Sequence, residues 1–217
     1  MVQTYWGVDS AQAVNEQLYN CVVQNYGKPA YWGRYMRTIP GVNDGLTPQE
    51  IQFLRQRGIK ILPIYNNFRG AIGYNQGQLI ARQAIARARV LQIPQGVTIF
   101  ANIEKWFRAD AAWLRGWVDA FFPSVYTPGF YANPRQGPFN FAYCTAAAGN
   151  PRVRQQAIIW SSEPRTGASR RGDAPAFNPA KPTCAANVYG WQYGESAPLC
   201  PIDTNLITED LYRKLWV

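Results

Sequence analysis

The chain has 217 residues, 47% of them hydrophobic, and a formal net charge of +9 from 22 Lys+Arg against 13 Asp+Glu. That balance supports a sizeable buried core and excludes wholesale disorder. The chain has no histidine at all. Ser–His–Asp and Cys–His catalysis, His-ligated zinc and any imidazole base are therefore excluded, and acid–base chemistry falls to carboxylates, Tyr, Lys or Cys.

In chain order, short β-rich runs alternate with helix-period segments. Tyr5 to Asp9 reads as a strand, followed by a helix from Ala11 to Tyr26 that Gly27 stops. Tyr31 to Met36 is a second strand. Thr47-Pro48-Gln49-Glu50 has the pattern of a capping box with Pro at the first helical position, and Gly58 ends that helix. Ile59 to Tyr65 is a strand of buried type. Gln76 to Leu91 is a helix with Ile80, Ala84, Ala88 and Leu91 on one face, and Val97 to Glu104 is the fourth strand. Asp110 caps a helix whose Trp113, Leu114, Trp117, Val118 and Phe121 form an apolar stripe.

The second half is looser. Ser124 to Tyr131 holds a strand, centred on Gly129-Phe130-Tyr131, and Phe139 to Ala148 is helical. Ala157 to Trp160, Val188 to Tyr193 and Pro201 to Leu206 read as strands, and Glu209 to Leu215 as a terminal helix. Ser161 to Lys181, rich in Gly, Pro, Ser and Arg, reads as a long loop. Eight strands with helices between most of them predict a TIM-type (β/α)8 barrel of parallel strands, one domain over residues 1–217, with some helices of the second half short or missing. A doubly wound open sheet is the competing topology. No G-x-G-x-x-G or P-loop follows a strand, so no nucleotide cofactor is expected.

Four cysteines (Cys21, Cys144, Cys184, Cys200) allow three pairings and lack the C-x-x-C spacing of a metal knuckle. Of these pairings, Cys184–Cys200 would close the short loop between them, for roughly 3 kcal/mol, and would imply an oxidising compartment. No stretch of 18 apolar residues occurs, and no signal peptide opens the sequence. Either the protein is cytosolic or a leader has been removed. The cations, 17 of them Arg, are scattered and lack a nucleic-acid reader motif, so no specific nucleic-acid partner is expected. An anionic wall polymer or membrane surface would feel the same field.

Several acids fall at strand ends. Asp9 closes the first strand, Glu104 closes the fourth, and Asp203 lies in the last. A parallel barrel opens all its strand C-termini onto one face, so these three converge on one mouth. Clustered carboxylates raise the pKa of at least one member, which turns a carboxyl into a general acid near neutral pH. Alternation along Val97 to Glu104 places Asn102 and Glu104 on one side with Thr98 and Phe100, facing the interior, and sends Ile99, Ala101 and Ile103 towards the helices. Tyr35, Tyr65, Tyr131, Trp160 and Trp191 lie near strand ends and are candidates to line a sugar cleft.

These positions carry a family resemblance. Gly7-Val8-Asp9-Ser10-Ala11-Gln12, Phe100-Ala101-Asn102-Ile103-Glu104, Gly190-Trp191-Gln192-Tyr193 and Ile202-Asp203-Thr204-Asn205-Leu206 resemble the motifs of glycoside hydrolase family 25 lysozymes. Over nearly the whole chain the sequence is similar to the bacterial glycoside-hydrolase-like, DUF1906-type family, whose pattern extends to Ile64-Tyr65, Gly129-Phe130-Tyr131-Ala132 and Ile159-Trp160. The resemblance implies that Glu104 protonates the glycosidic oxygen, and that Asp9 and Asp203 shape the floor, bind hydroxyls and tune the acid. Gln192 belongs to the same site by its motif. The lysozyme pattern places an Asp two residues before the acid, in support of attack by the substrate's own acetamido group. Asn102 stands there, able to orient an acetamide but carrying no charge.

The expected function is hydrolysis of a bacterial cell-wall glycan such as peptidoglycan by a secreted or wall-associated monomer, with no cofactor or metal. A catalytically weakened carbohydrate-binding module on the same barrel is the alternative. A structural or host-interaction platform is a remoter one.

Overall fold

The computed structural model describes residues 2–217. Its eight strands close into a barrel in chain order. These are β1 (Thr4–Asp9), β2 (Tyr31–Tyr35), β3 (Lys60–Tyr65), β4 (Thr98–Asn102), β5 (Thr127–Ala132), β6 (Ile158–Ser162), β7 (Asn187–Gly194) and β8 (Asp203–Thr208). Around them run α1 (Glu16–Asn25), α2 (Pro48–Gln56), α3 (Tyr74–Val90), α4 (Ala111–Phe121), α5 (Phe139–Gly149), α6 (Pro151–Gln156) and the four-residue α7 (Glu209–Tyr212). Closure of the sheet excludes the open doubly wound alternative.

β1 to β7 pair in parallel, each with the next. The last strand corrects the all-parallel expectation, because β8 runs antiparallel to both β7 and β1. The cause lies in the link. Only residues 195–202 join β7 to β8, and no helix lies among them. A parallel crossover needs a dozen or more residues, usually including a helix, so this short link returns the chain at the same end of the barrel. The start of β8 therefore lies where β1 finishes, and Asp203 stands in register with Asp9.

Two apolar layers follow from the period-two alternation. Inside the barrel pack Leu62, Ile64, Phe100, Ile158, Trp160 and Ile207, with Leu211 and Leu215 beneath them. Ile99, Ala101 and Ile103 join the outer layer with the Trp113–Trp117 stripe of α4, as the alternation along β4 predicts. β7 breaks the alternation. Its register against β6 shifts between Ile159 and Trp160. As a result Tyr189 packs with the inner cluster while Trp191, two residues on, joins the outer one.

Several boundaries differ from the sequence reading. α1 begins at Glu16 rather than Ala11, because Asn15 caps it by accepting from the Leu18 amide at 2.9 Å. Thr47 caps α2 by accepting from the Glu50 amide at 3.2 Å. The Glu50 side chain does not complete a capping box. It turns inward to Arg34 Nε at 2.6 Å. α6 was not anticipated, and the terminal helix is shorter than the predicted Glu209–Leu215.

The disulfides are Cys21–Cys200 and Cys144–Cys184. The Cys184–Cys200 pairing does not form, because β7 stands between the two. Its eight residues span about 26 Å at ~3.3 Å per residue, whereas bridged Cα atoms lie within about 7 Å. The pairs observed tie the β7–β8 link to α1 and the strand-6-to-7 loop to α5. By loop-closure entropy, crosslinks over separations of 179 and 40 residues each restrict the unfolded chain by about 4–5 kcal/mol.

Candidate active site

The mouth of the barrel is built from the ends of β1, β4 and β7 and the reversed start of β8. Asp9 is buried on the inner face. Gly33, beside it on β2, has no room for a side chain, since a Cβ there would sit 2.6 Å from Asp9 Cβ and 3.3 Å from the Trp160 ring. Asp9 Oδ2 accepts from Asn205 Nδ2 at 2.7 Å and from Gln192 Nε2 at 3.2 Å. The same Gln192 amide donates to Asp203 Oδ2 at 2.9 Å, so one side chain ties the two carboxyls together. Asp203 Oδ1 accepts from the Ser196 backbone amide at 2.7 Å. Gln192 is held in turn by Tyr131 and Ser162, whose hydroxyls donate to its Oε1 at 2.8 and 3.2 Å. Asn205 is held by the Trp160 indole, which donates to its Oδ1 at 3.0 Å.

Glu104 lies two residues beyond the end of β4, half-buried. Asn102 Nδ2 donates to its Oε1 at 3.0 Å. The two side chains thus share one side of the strand and touch. No ion pair is formed by Asp9, Glu104 or Asp203 among the described residues.

Without a counter-cation, the electrostatics push upward. Burial and then the charge of Asp203 lift the Asp9 carboxyl to about 8, against the hydrogen bonds from Asn205 and Gln192. Asp203 is raised to about 6, first by burial and then by Glu195 and Glu104, while the Ser196 amide opposes. At neutral pH this pair retains a proton. Burial also raises Glu104, with Glu195 adding repulsion, whereas the Asn102 hydrogen bond and Lys105 hold it down. Tyr131 is pushed well up, by burial first and then by Glu104 and Asp9, so it stays a hydroxyl donor.

The remaining sequence candidates divide. Tyr35 lines the mouth beside Asn102 and Glu104 in a cavity of about 430 Å³. Tyr131 and Gln192 are in the network described above. Trp160 lies within the barrel, edge-on to Phe100 and Tyr131. It supports the site from below and has no exposed face to offer a sugar. Tyr65 and Trp191 point the other way. Tyr65 is packed among the outer core and bonds Gln83 of α3 at 3.3 Å. Trp191 is packed there with Phe177 and Tyr193 and donates to the Glu163 carbonyl at 3.1 Å. Neighbours along a strand face opposite sides, so Trp191 and Gln192 cannot share a cleft, nor can Tyr65 join the inward Ile64.

Sequence reading gave Asn205 only as part of a motif, with no role in the site, and did not single out Ser162. Asn205 is two residues after Asp203 on one strand, a spacing that puts both on the same face. Ser162 shares a face with Trp160 for the same reason. Arg34 was also missed. Fully buried, it pairs with Glu50 and donates to the backbone carbonyls of Ser10 and Asp44, pinning the two loops beside Asp9. Among the described residues no group of three His, Cys, Asp or Glu is arranged to hold a metal ion. Among the same residues no helix is long and apolar enough to cross a membrane.

Comparison with known proteins supplies a family and a set of structural relatives. The profile of the Rv2525c-like, glycoside hydrolase-like domain family matches residues 23–205. A crystal structure of an uncharacterized B. stearothermophilus protein is 50% identical with a TM-score of 0.96, over 98% of this chain and 100% of that one. The Clostridium perfringens spore cortex lytic enzyme SleM is 11% identical with a TM-score of 0.63, over 94% of this chain and 67% of that one. A family GH25 lysozyme from Aspergillus fumigatus is 10% identical with a TM-score of 0.59, over 99% of this chain and 100% of that one. The last two likenesses show a shared fold. No curated protein matches the sequence.

Proposed function

The chain belongs to the Rv2525c-like, glycoside hydrolase-like domain family, and on that premise we propose that it hydrolyses a bacterial cell-wall glycan of the peptidoglycan type. In this reading Glu104 delivers a proton to the glycosidic oxygen as the bond to the anomeric carbon breaks. The acetamido oxygen of the same sugar attacks that carbon, and water then opens the cyclic intermediate with ionised Glu104 as base. Asn102 donates through Nδ2 to Glu104, leaving Oδ1 to accept the acetamido N–H and aim the group. Asp9 and Asp203, sharing a proton, form the floor. The protonated carboxyl donates to a sugar hydroxyl, while its partner leaves one negative charge near the developing cation.

The observation that carries this reading is Glu104 held against Asn102, without a cation, in the mouth that also holds the Asp9–Asp203 pair. Two disulfides and the spore cortex lytic enzyme among the structural relatives support an extracytoplasmic, wall-facing site of action.

One observation favours a second reading, a carbohydrate-binding module. The Asn102 hydrogen bond stabilises ionised Glu104, and the amide has no charge to offer the cation. Incubating the parent, Glu104→Gln and Asn102→Asp with purified peptidoglycan separates the two. Release of reducing ends by the parent and not by Glu104→Gln, a drop of about 10²–10⁴-fold, fits hydrolysis. Binding by the parent with cleavage only by Asn102→Asp selects the module. Undiminished cleavage by Glu104→Gln removes Glu104 from the acid's role.

A further inference from the structure

Beyond the acids, the cavity beside Glu104 runs across Tyr35 to residues of the loops after β3 and β4, among them Asn66, Arg69 and Trp106. Three features there serve no purpose in the folded chain. The first is an acceptor. Asn66 Nδ2 donates to Asn43 Oδ1 at 2.7 Å, and Asn43 Nδ2 donates to the Arg37 carbonyl at 2.7 Å. This relay fixes which way the Asn66 amide faces. Its Oδ1 has no partner and almost no accessible surface, a deficit that a ligand hydroxyl or amide N–H would cancel once the side chain shifts towards the cavity.

The second is a cation. Arg69 is exposed on this wall and makes no ion pair among the described residues. The third is a flat apolar face. Trp106, two residues after Glu104, is 69% exposed and is propped edge-on by Phe107 at 6.4 Å between ring centroids.

We propose that this wall is a sugar subsite selective for a pyranose bearing a free carboxylate. Trp106 stacks on the ring's C–H face, Asn66 Oδ1 accepts a hydroxyl or acetamido proton, and the planar guanidinium of Arg69 pairs with the carboxylate. Glu104 borders the same cavity, and the carboxylate is drawn towards Arg69, the cation on this wall. The subsite rests on the glycan reading above and adds a charge preference to it. Such a carboxylate has two sources, the lactyl ether of muramic acid in strands stripped of peptide, and a uronic acid.

The test is calorimetric binding of the full chain to two oligosaccharides, one from peptide-stripped peptidoglycan and one from a polyuronic acid. Each is offered as the acid and as its carboxyl-reduced alcohol. At least one acid is expected to bind about tenfold more tightly than its alcohol, and the pair showing the larger ratio identifies the source. Arg69→Gln should bring that ratio close to one without weakening the alcohol, Arg69→Lys should keep part of it, and Trp106→Ala should weaken both forms alike. Equal binding of acid and alcohol by the parent, or an undiminished ratio in Arg69→Gln, overturns the subsite and leaves the glycan reading standing. If no form binds, the glycan reading falls and takes the subsite with it.

Discussion

Glu50 and Asp9 are both buried carboxylates in the upper part of the same barrel, and they are treated in opposite ways. Glu50 faces the outer layer, where Arg34 Nε lies 2.6 Å from one oxygen and the Val14 amide donates to that oxygen at 2.8 Å. Asp9 faces the interior, and its donors are the neutral amides of Gln192 and Asn205. Burial is similar, so burial does not mark the site. The mark is the missing cation, in a chain whose net charge is +9. An ion pair fixes a loop, whereas an uncompensated carboxyl keeps a proton and stays available for chemistry.

The sharpest way to break this contrast is Arg34→Met. Removing one partner strands Glu50 without its counter-ion and should cost about 3–5 kcal/mol in urea unfolding, because a buried charge is left unpaired. Asp9→Asn should act in the other direction. The folded-state pKa of Asp9, about 8, lies above its unfolded value of about 3.9. The folded state therefore holds the extra proton between those limits, and stability falls as pH rises through that window. The amide removes the penalty while still accepting from Gln192 or Asn205. Thermal melts should show Asp9→Asn several degrees above the parent at pH 8 and little different at pH 4.

A smaller effect is expected where the site meets its departure from the lysozyme pattern. Asn102→Asp replaces a donor to Glu104 with a like charge, and should raise the Glu104 pKa further, read from its carboxyl carbon shift in a pH titration. An unmoved titration would show that the two side chains do not interact in solution. The smallest effect belongs to the outer face. Tyr65→Phe should leave glycan binding within about twofold of the parent, because the hydroxyl it removes bonds Gln83 and is turned away from the cavity.

The strand periods, the caps at Thr47 and Asp110 and the in-or-out alternation of β4 were legible because each is set by neighbours in sequence. Asp9, Asn102 and Glu104 could be placed for the same reason, since strand ends and period two fix where and on which side they emerge. Gln192 was placed by motif, and Asp203 by its strand in an all-parallel barrel, yet it reaches the mouth only because β8 is reversed and starts where β1 ends. The reversal of β8 was within reach, as the link between Tyr193 and Pro201 is too short for a parallel return.

What the sequence determined by itself was therefore most of the elements, the barrel and the strand ends at which the candidate acids stand, all governed by local periodicity and chain length. The tertiary structure decided which cysteines meet, that the β7 irregularity turns Trp191 outward while Gln192 faces in, and that Arg34 goes to Glu50 and to no acid of the mouth. Those outcomes depend on contacts between residues far apart in the chain. Whether a buried carboxyl keeps its proton follows from which charges close in around it, and only the folded arrangement supplies them.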